Sequence, residues 1–166
     1  MMDKTTVMVE FVIYGDNFDP KIITQALNLE PTRSWMKNTD EKPKIYTRDQ
    51  IPGTLVRIKD PELKTIRFKL SPEGNVKPRW NSRWIISTGY EESLNIDDQI
   101  RIIYEMLKDK VGILNELREK YSLTFHLRVV PKIEDNEKPS MFFGPYIIDF
   151  VHDIKATIDI DLYIFS

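Results

Sequence analysis

An α+β fold, with helices packed on one face of a mostly antiparallel or mixed β-sheet, is predicted by three observations. Ile96, Ile100, Ile103, Leu107, Val111, Leu114, Leu117 and Tyr121 recur every three or four residues, the spacing of one buried helix face. Thr54–Lys59, Thr65–Leu70 and Thr157–Phe165 alternate apolar with charged or polar residues, the period of strands whose two faces differ. A strand and a short, proline-started helix recur towards both ends of the chain with the long helix between them, which suggests a ferredoxin-like, pseudo-duplicated arrangement. A chain of 166 residues buries enough surface to form one domain, here expected to span 1–166, without covalent staples.

The first strand, Thr5–Tyr14, sets Val7, Val9, Phe11 and Ile13 on one face and Met8, Glu10 and Val12 on the other, so a central place in the sheet is expected. Asp19-Pro20 starts a short helix, because the Asp side chain can accept at the N-cap and proline lacks an N–H where none is needed. Ile22, Ile23, Ala26 and Leu27 give that helix its buried stripe, and Pro31 forbids its continuation. Residues 32–53, rich in charge and proline and without a sustained period, read as a long irregular loop.

Val56, Ile58, Ile66, Phe68 and Leu70 are expected to face one way in a hairpin turned at Asp60-Pro61-Glu62, with Arg57, Lys59, Arg67 and Lys69 facing the other. A further turn at Ser71–Asn75 leads to a strand around Arg83–Thr88. Asn95 is the expected N-cap of the long helix, with Asp97 and Asp98 complementing its dipole, and Gly112 is where it would bend or split. Tyr121–Val130 reads as a strand that Pro131 ends or pushes to an edge. After Gly144-Pro145 a short helix runs through Ile147, Ile148, Val151 and Ile154. A last strand then buries Ile158, Ile160, Leu162 and Ile164 against Asp159, Asp161 and Tyr163 outside.

The absence of cysteine removes disulfides, thiolate nucleophiles and Cys-ligated metals, and suits a reducing compartment. No apolar run has the length of a membrane span, and the N-terminal stretch has no small-residue cleavage site, so a cytoplasmic protein with no membrane partner is expected. The six glycines form no phosphate-binding loop, and no Ser-His elbow is present, so an enzyme is the minority expectation and no cofactor is implied.

Charge is segregated along the chain: bases dominate from Lys42 to Arg83 and acids from Glu134 onward, although the net charge is only -2. Arg33, Trp35, Arg57, Lys59, Arg67, Lys69, Arg79, Trp80, Arg83 and Trp84 interleave cations with tryptophan, as surfaces that engage anions or protein hot spots do. The plain alternative is a solvated hairpin face with Trp84 in the core. Of the two histidines, His126 reads as a hydrogen-bonded structural residue in mid-strand. His152 with Asp149 and Asp153 makes a poor metal set, because His152 points away from the face that the two acids share. Asp159 and Asp161 share one side of the last strand, where acids mainly discourage wrong pairing.

Several runs resemble the bacterial domain-of-unknown-function family numbered 4279. They are Phe18-Asp19-Pro20-Lys21-Ile22-Ile23-Thr24, Leu29-Glu30-Pro31-Thr32-Arg33-Ser34-Trp35, Trp84-Ile85-Ile86-Ser87-Thr88, Ile96-Asp97-Asp98-Gln99-Ile100 and Ile158-Asp159-Ile160-Asp161-Leu162-Tyr163. The likeness spans nearly the whole chain and implies a small bacterial cytosolic protein, with no catalytic residues to carry over. The leading expectation from the residues is a non-enzymatic module whose basic, Trp-rich hairpin meets an acidic protein, in the manner of a bacterial immunity protein. The alternative is a small-molecule-binding domain or enzyme with a pocket lined by Trp35, Trp84 and the arginines, where Asp159 and Asp161 act. Nucleic acid ranks third, since a pI near 5.8 argues against bulk neutralisation of phosphates.

Overall fold

The computed structural model describes residues 4–37, 55–59, 66–70 and 81–165. The chain divides into two compact units, one made of Met1–Met36 with Asn81–Ser166 and the other of Lys37–Trp80. In the first unit the elements are β1 (Thr6–Gly15), α1 (Pro20–Leu27) and β2 (Arg33–Trp35). In the second they are β3 (Leu55–Lys59) and β4 (Ile66–Leu70). The first unit resumes with β5 (Ser82–Ser87), β6 (Glu91–Glu92), α2 (Ile96–Leu107), α3 (Val111–Tyr121), β7 (Thr124–Ile133), α4 (Pro145–Asp153), β8 (Thr157–Ile160) and β9 (Tyr163–Ile164).

The sheet of the first unit runs in the order β2-β5-β1-β7-β8, with β6 added to β1 and β9 to β7. β1 is antiparallel to both β5 and β7, β2 is antiparallel to β5, and β8 is parallel to β7. Hence β2 is parallel to β1 with β5 between them, and β7 is parallel to β5 with β1 between them. Two split βαβ units, β1-α1-β2 and β5-α2-α3-β7, interleave, which is the ferredoxin-like α+β arrangement. The duplication therefore pairs β1-α1-β2 with the middle of the chain; α4 and β8 extend it rather than repeat it.

Each helix starts where local chemistry allows. Asp19 accepts from the Lys21 amide ahead of Pro20, and Asn95 accepts from the Asp97 amide with Asp97 and Asp98 in the first turn. The long stripe is interrupted by a 3-10 turn at Lys108–Lys110, just ahead of Gly112, so it forms α2 and α3. The stripe faces the sheet all the same. Ile96, Ile100, Ile103, Leu107, Leu114 and Leu117 join Val7, Val9, Phe11 and Ile13 of β1, Trp84 and Ile86 of β5 and Phe125, Leu127 and Val129 of β7 in one core. Tyr146 at the start of α4 donates to Asp97, whose other oxygen takes Arg101 Nε at 2.7 Å, so α4 is tied to the first turn of α2.

Three expectations need correction. Residues 32–53 are not wholly irregular, because Arg33–Trp35 forms edge strand β2, paired Arg33 to Ile85 and Trp35 to Arg83. Pro131 does not end its strand: β7 runs on to Ile133 with Pro131 opposite Val7. The carbonyls of Val129 and Ile133 accept from the Asp161 and Phe165 amides, so residues of this parity face the β8–β9 edge. Pro131 lies between them at the break separating β8 from β9, where its missing N–H costs no bond to β1. Finally, the last segment has no buried face. Ile158, Ile160, Leu162 and Ile164 are 37%, 44%, 46% and 61% exposed, since the helical layer packs over the middle strands and β8 is the sheet's edge.

In the second unit β3 pairs antiparallel with β4, as the hairpin reading expects. Its register sets Arg57 opposite Phe68 and Lys59 opposite Ile66, and Arg67 and Lys69 opposite Ile58 and Val56. The side chains of both strands, and with them the expected grouping of Arg57, Lys59, Arg67 and Lys69 on one face, lie outside the described residues. Residues 60–65 and 71–80, including Arg79 and Trp80, lie outside the described residues.

Candidate ligand-binding site

The registers of five strands decide which side chains meet on the face opposite the helices. Across one row lie Trp35, Arg83 and Tyr14, across the next Arg33, Ile85, Val12, His126 and Thr157, and across a third Glu10, Arg128 and Asp159. These rows wall and floor a cavity of about 580 Å³ that also reaches Asn81.

Glu10 is the only acidic or basic residue of central strand β1 between Thr6 and Gly15, and its side chain is 2% exposed. A buried carboxylate must be paired to stay charged. Arg33 Nη2 donates to Glu10 Oε1 at 2.6 Å, and Arg128 Nη1 stands 3.8 Å from Oε2, which receives no hydrogen bond. Arg128 in turn donates to Asp161 and has Asp159 at 4.0 Å. Charges therefore alternate across the floor from Arg33 through Glu10 and Arg128 to the two acids.

At the other end Tyr14 and His126 stack, their ring centroids 4.9 Å apart and their planes 8° from parallel. His126 Nε2 lies 2.7 Å from the Tyr14 hydroxyl, and Nδ1 contacts Thr157 Oγ1. The Thr157 hydroxyl donates to the Phe125 carbonyl, so its oxygen accepts from Nδ1–H. That leaves Nε2 to accept from the Tyr14 O–H. Burial lowers the His126 pKa below its ordinary 6.5, with nearby Asp159 opposing the shift and Arg83 adding to it. The ring is neutral at pH 7.

With its folded-state pKa lowered, His126 makes the unfolded chain bind more protons than the folded one in the window just below 6.5. Stability is expected to be fully present above that value and to fall as the pH drops through the window. Urea midpoints at about pH 7.5 and pH 5.5 check this, and His126→Gln should flatten the difference between them.

Arg83 carries the site's available charge. Its Nε donates to Asn81 Oδ1 at 2.9 Å, and its guanidinium lies 5.6 Å from the Tyr14 ring centroid and 5.8 Å from that of Trp35. No ion pair with a carboxylate is seen for it among the described residues. Two aromatic rings and one amide hold the group, and among the described residues no acceptor is seen on its terminal N–H edge.

The structure thus brings together Arg33, Trp35 and Arg83 of the residues singled out in the sequence, with Asp159 from the last strand. Trp84 is not among them, being fully buried in the core, where its Nε1 donates to Thr24 Oγ1 at 3.0 Å. The side chains of Arg57, Lys59, Arg67 and Lys69 lie outside the described residues. Sequence reasoning missed Glu10, Tyr14, Asn81 and Arg128 and took His126 as structural only. The available signal was polar residues at alternate positions within two otherwise apolar strands. Among the described residues, no group of three or more His, Asp or Glu side chains could hold a metal ion, and no helix is long and apolar enough to cross a membrane.

No curated protein and no solved structure matches the chain. One family model does, over residues 4–51 and 64–165, so every residue of the cavity falls inside the matched span, while Arg57 and Lys59 fall outside it. The chain belongs to the family described as a domain of unknown function, DUF4279.

Proposed function

We propose that this protein binds a small anionic ligand in the cavity on the sheet, with Arg83 as the anion receptor. One observation carries the reading: a guanidinium held by Tyr14, Trp35 and Asn81 at the wall of a 580 Å³ cavity, with no carboxylate seen neutralising it among the described residues. Sites for small molecules are concave, and a few fixed polar groups orient the ligand within them. Arg33 and Arg128 are already engaged by Glu10, Asp161 and Asp159, so they shape the floor and leave recognition to Arg83. A bacterial cytoplasm is the setting this reading assumes, which the cysteine-free sequence suits.

The test is a thermal-shift screen of small carboxylates and phosphate esters, followed by calorimetry on any that stabilise the protein. Arg83→Gln is expected to weaken binding by about 10- to 100-fold, the value of a charge-assisted hydrogen bond, and to leave the melting temperature of the free protein nearly unchanged. Stabilisation by no anion, or equal binding by the variant, would remove the proposal.

A second reading has the β3–β4 hairpin contacting an acidic protein partner. It is favoured by the antiparallel pairing that places Arg57, Lys59, Arg67 and Lys69 on two adjacent five-residue strands. Pull-downs from the native host with these four reversed to Glu check it, and unchanged partner lists would end it.

A further inference from the structure

The cavity is electrically polar along its length. Arg83 stands at one end, opposite Tyr14 on β1, and Asp159 at the other, beside Arg128 and so level with Glu10. Between them lie the neutral Tyr14–His126 pair and the apolar Val12 and Ile85. Asp159 and Arg83 both line the cavity and act on the His126 imidazole in opposite senses.

Asp159 differs from the other acids of the site. Glu10 is buried against Arg33, and Asp161 takes hydrogen bonds from Arg128 and the Tyr163 hydroxyl. The Asp159 side chain is 60% exposed, and its contact with Arg128 Nε is long, at 4.0 Å. Among the described residues its oxygens therefore have unused acceptor capacity, just as the guanidinium edge of Arg83 has unused donor capacity.

Four residues along a strand and three strand spacings across separate the two backbones by roughly 20 Å, and the reach of both side chains shortens the gap to on the order of 10 Å. Two opposite, spare charges at that separation, across a floor whose other charges, Arg33, Glu10 and Arg128, are paired with one another or with Asp161, specify a bipolar guest. An anion alone would leave Asp159 facing the ligand's far end without a donor, and in a confined site an unmet carboxylate opposes binding.

Resting on the anion-receptor reading above, we propose that the ligand is a zwitterion, an elongated molecule with a carboxylate held by Arg83 and an amine held by Asp159. The amine end supplies specificity, because a site that hydrogen-bonds a donor rejects the analogue lacking it.

Calorimetry with ω-amino acids from 4-aminobutanoate to 8-aminooctanoate, each beside the straight-chain carboxylate of the same length, tests this. At one length the amino acid is expected to bind at least about tenfold tighter than its carboxylate partner. Asp159→Asn should abolish that advantage, weakening the amino acid and strengthening the plain carboxylate, whereas Arg83→Gln should weaken both. Carboxylates binding as well as amino acids at every length, or an advantage that survives Asp159→Asn, would overturn the zwitterion and leave the anion receptor standing. Binding by neither series would overturn the zwitterion, and the anion receptor with it if the phosphate esters of the thermal-shift screen also fail to stabilise the protein.

Discussion

Replacing Arg33 by methionine is expected to cost about 3 kcal/mol of folding free energy, measured by urea unfolding, although Arg33 is itself half exposed on a three-residue edge strand. The loss comes from Glu10. Its Oε1 would give up the 2.6 Å bond, its Oε2 already receives none, and the carboxylate has almost no contact with water. Removing one partner of a buried pair costs about 3–5 kcal/mol, and the lower end applies because Arg128 still faces the carboxylate. Adding Glu10→Gln to the variant removes the stranded charge and is expected to recover about 1–2 kcal/mol, so the two changes are non-additive. Losses that simply add would show that Glu10 is not held by Arg33.

Trp84→Ala is expected to be the larger lesion, about 3–5 kcal/mol, with little effect on ligand affinity per folded molecule. Among the described residues Trp84 is the largest fully buried side chain, packed with Ile13 and Phe11 of β1 and with α1, and its indole N–H satisfies Thr24. Truncation leaves a cavity in the centre of the core and an unmet hydroxyl beside it. Trp84→Phe keeps most of the volume and loses only the hydrogen bond, so it should cost about 1–2 kcal/mol. A strong loss of ligand binding in Trp84→Phe without loss of stability would place the residue in the site after all.

The contrast between these two residues shows what the sequence makes legible. Trp84 alternates with Arg83 and Ile85, and the two split βαβ units have clear helical and strand periods, so the α+β fold with helices on one face is readable from spacing alone. The long helix is readable because its stripe is continuous through the 3-10 turn. Edge elements are not. β2 is three residues, Arg-Ser-Trp, with no apolar run of its own, and it is a strand because β5 offers a free edge. β8 has the alternation of a half-buried strand, but whether a face is buried depends on a neighbouring helix that the strand's own residues do not encode.

The site is harder still. Tyr14 and His126 are 112 residues apart, and Glu10 and Arg128 share the same separation of strands. Each looks like an isolated polar residue until β1 and β7 are known to be neighbours in a given register. The arginines and tryptophans stood out for the opposite reason, their local density. That density drew attention to the hairpin, whereas among the described residues only Arg33, Trp35 and Arg83 of this group line the cavity.

The most direct measurement of the whole account is the arginine side-chain nitrogen spectrum of labelled protein during titration with 6-aminohexanoate or hexanoate. The Arg83 resonances should shift and saturate together with those of the His126 ring, while Arg57 and Arg67 stay fixed. Saturable shifts confined to the hairpin arginines, with Arg83 and His126 unmoved, would contradict it.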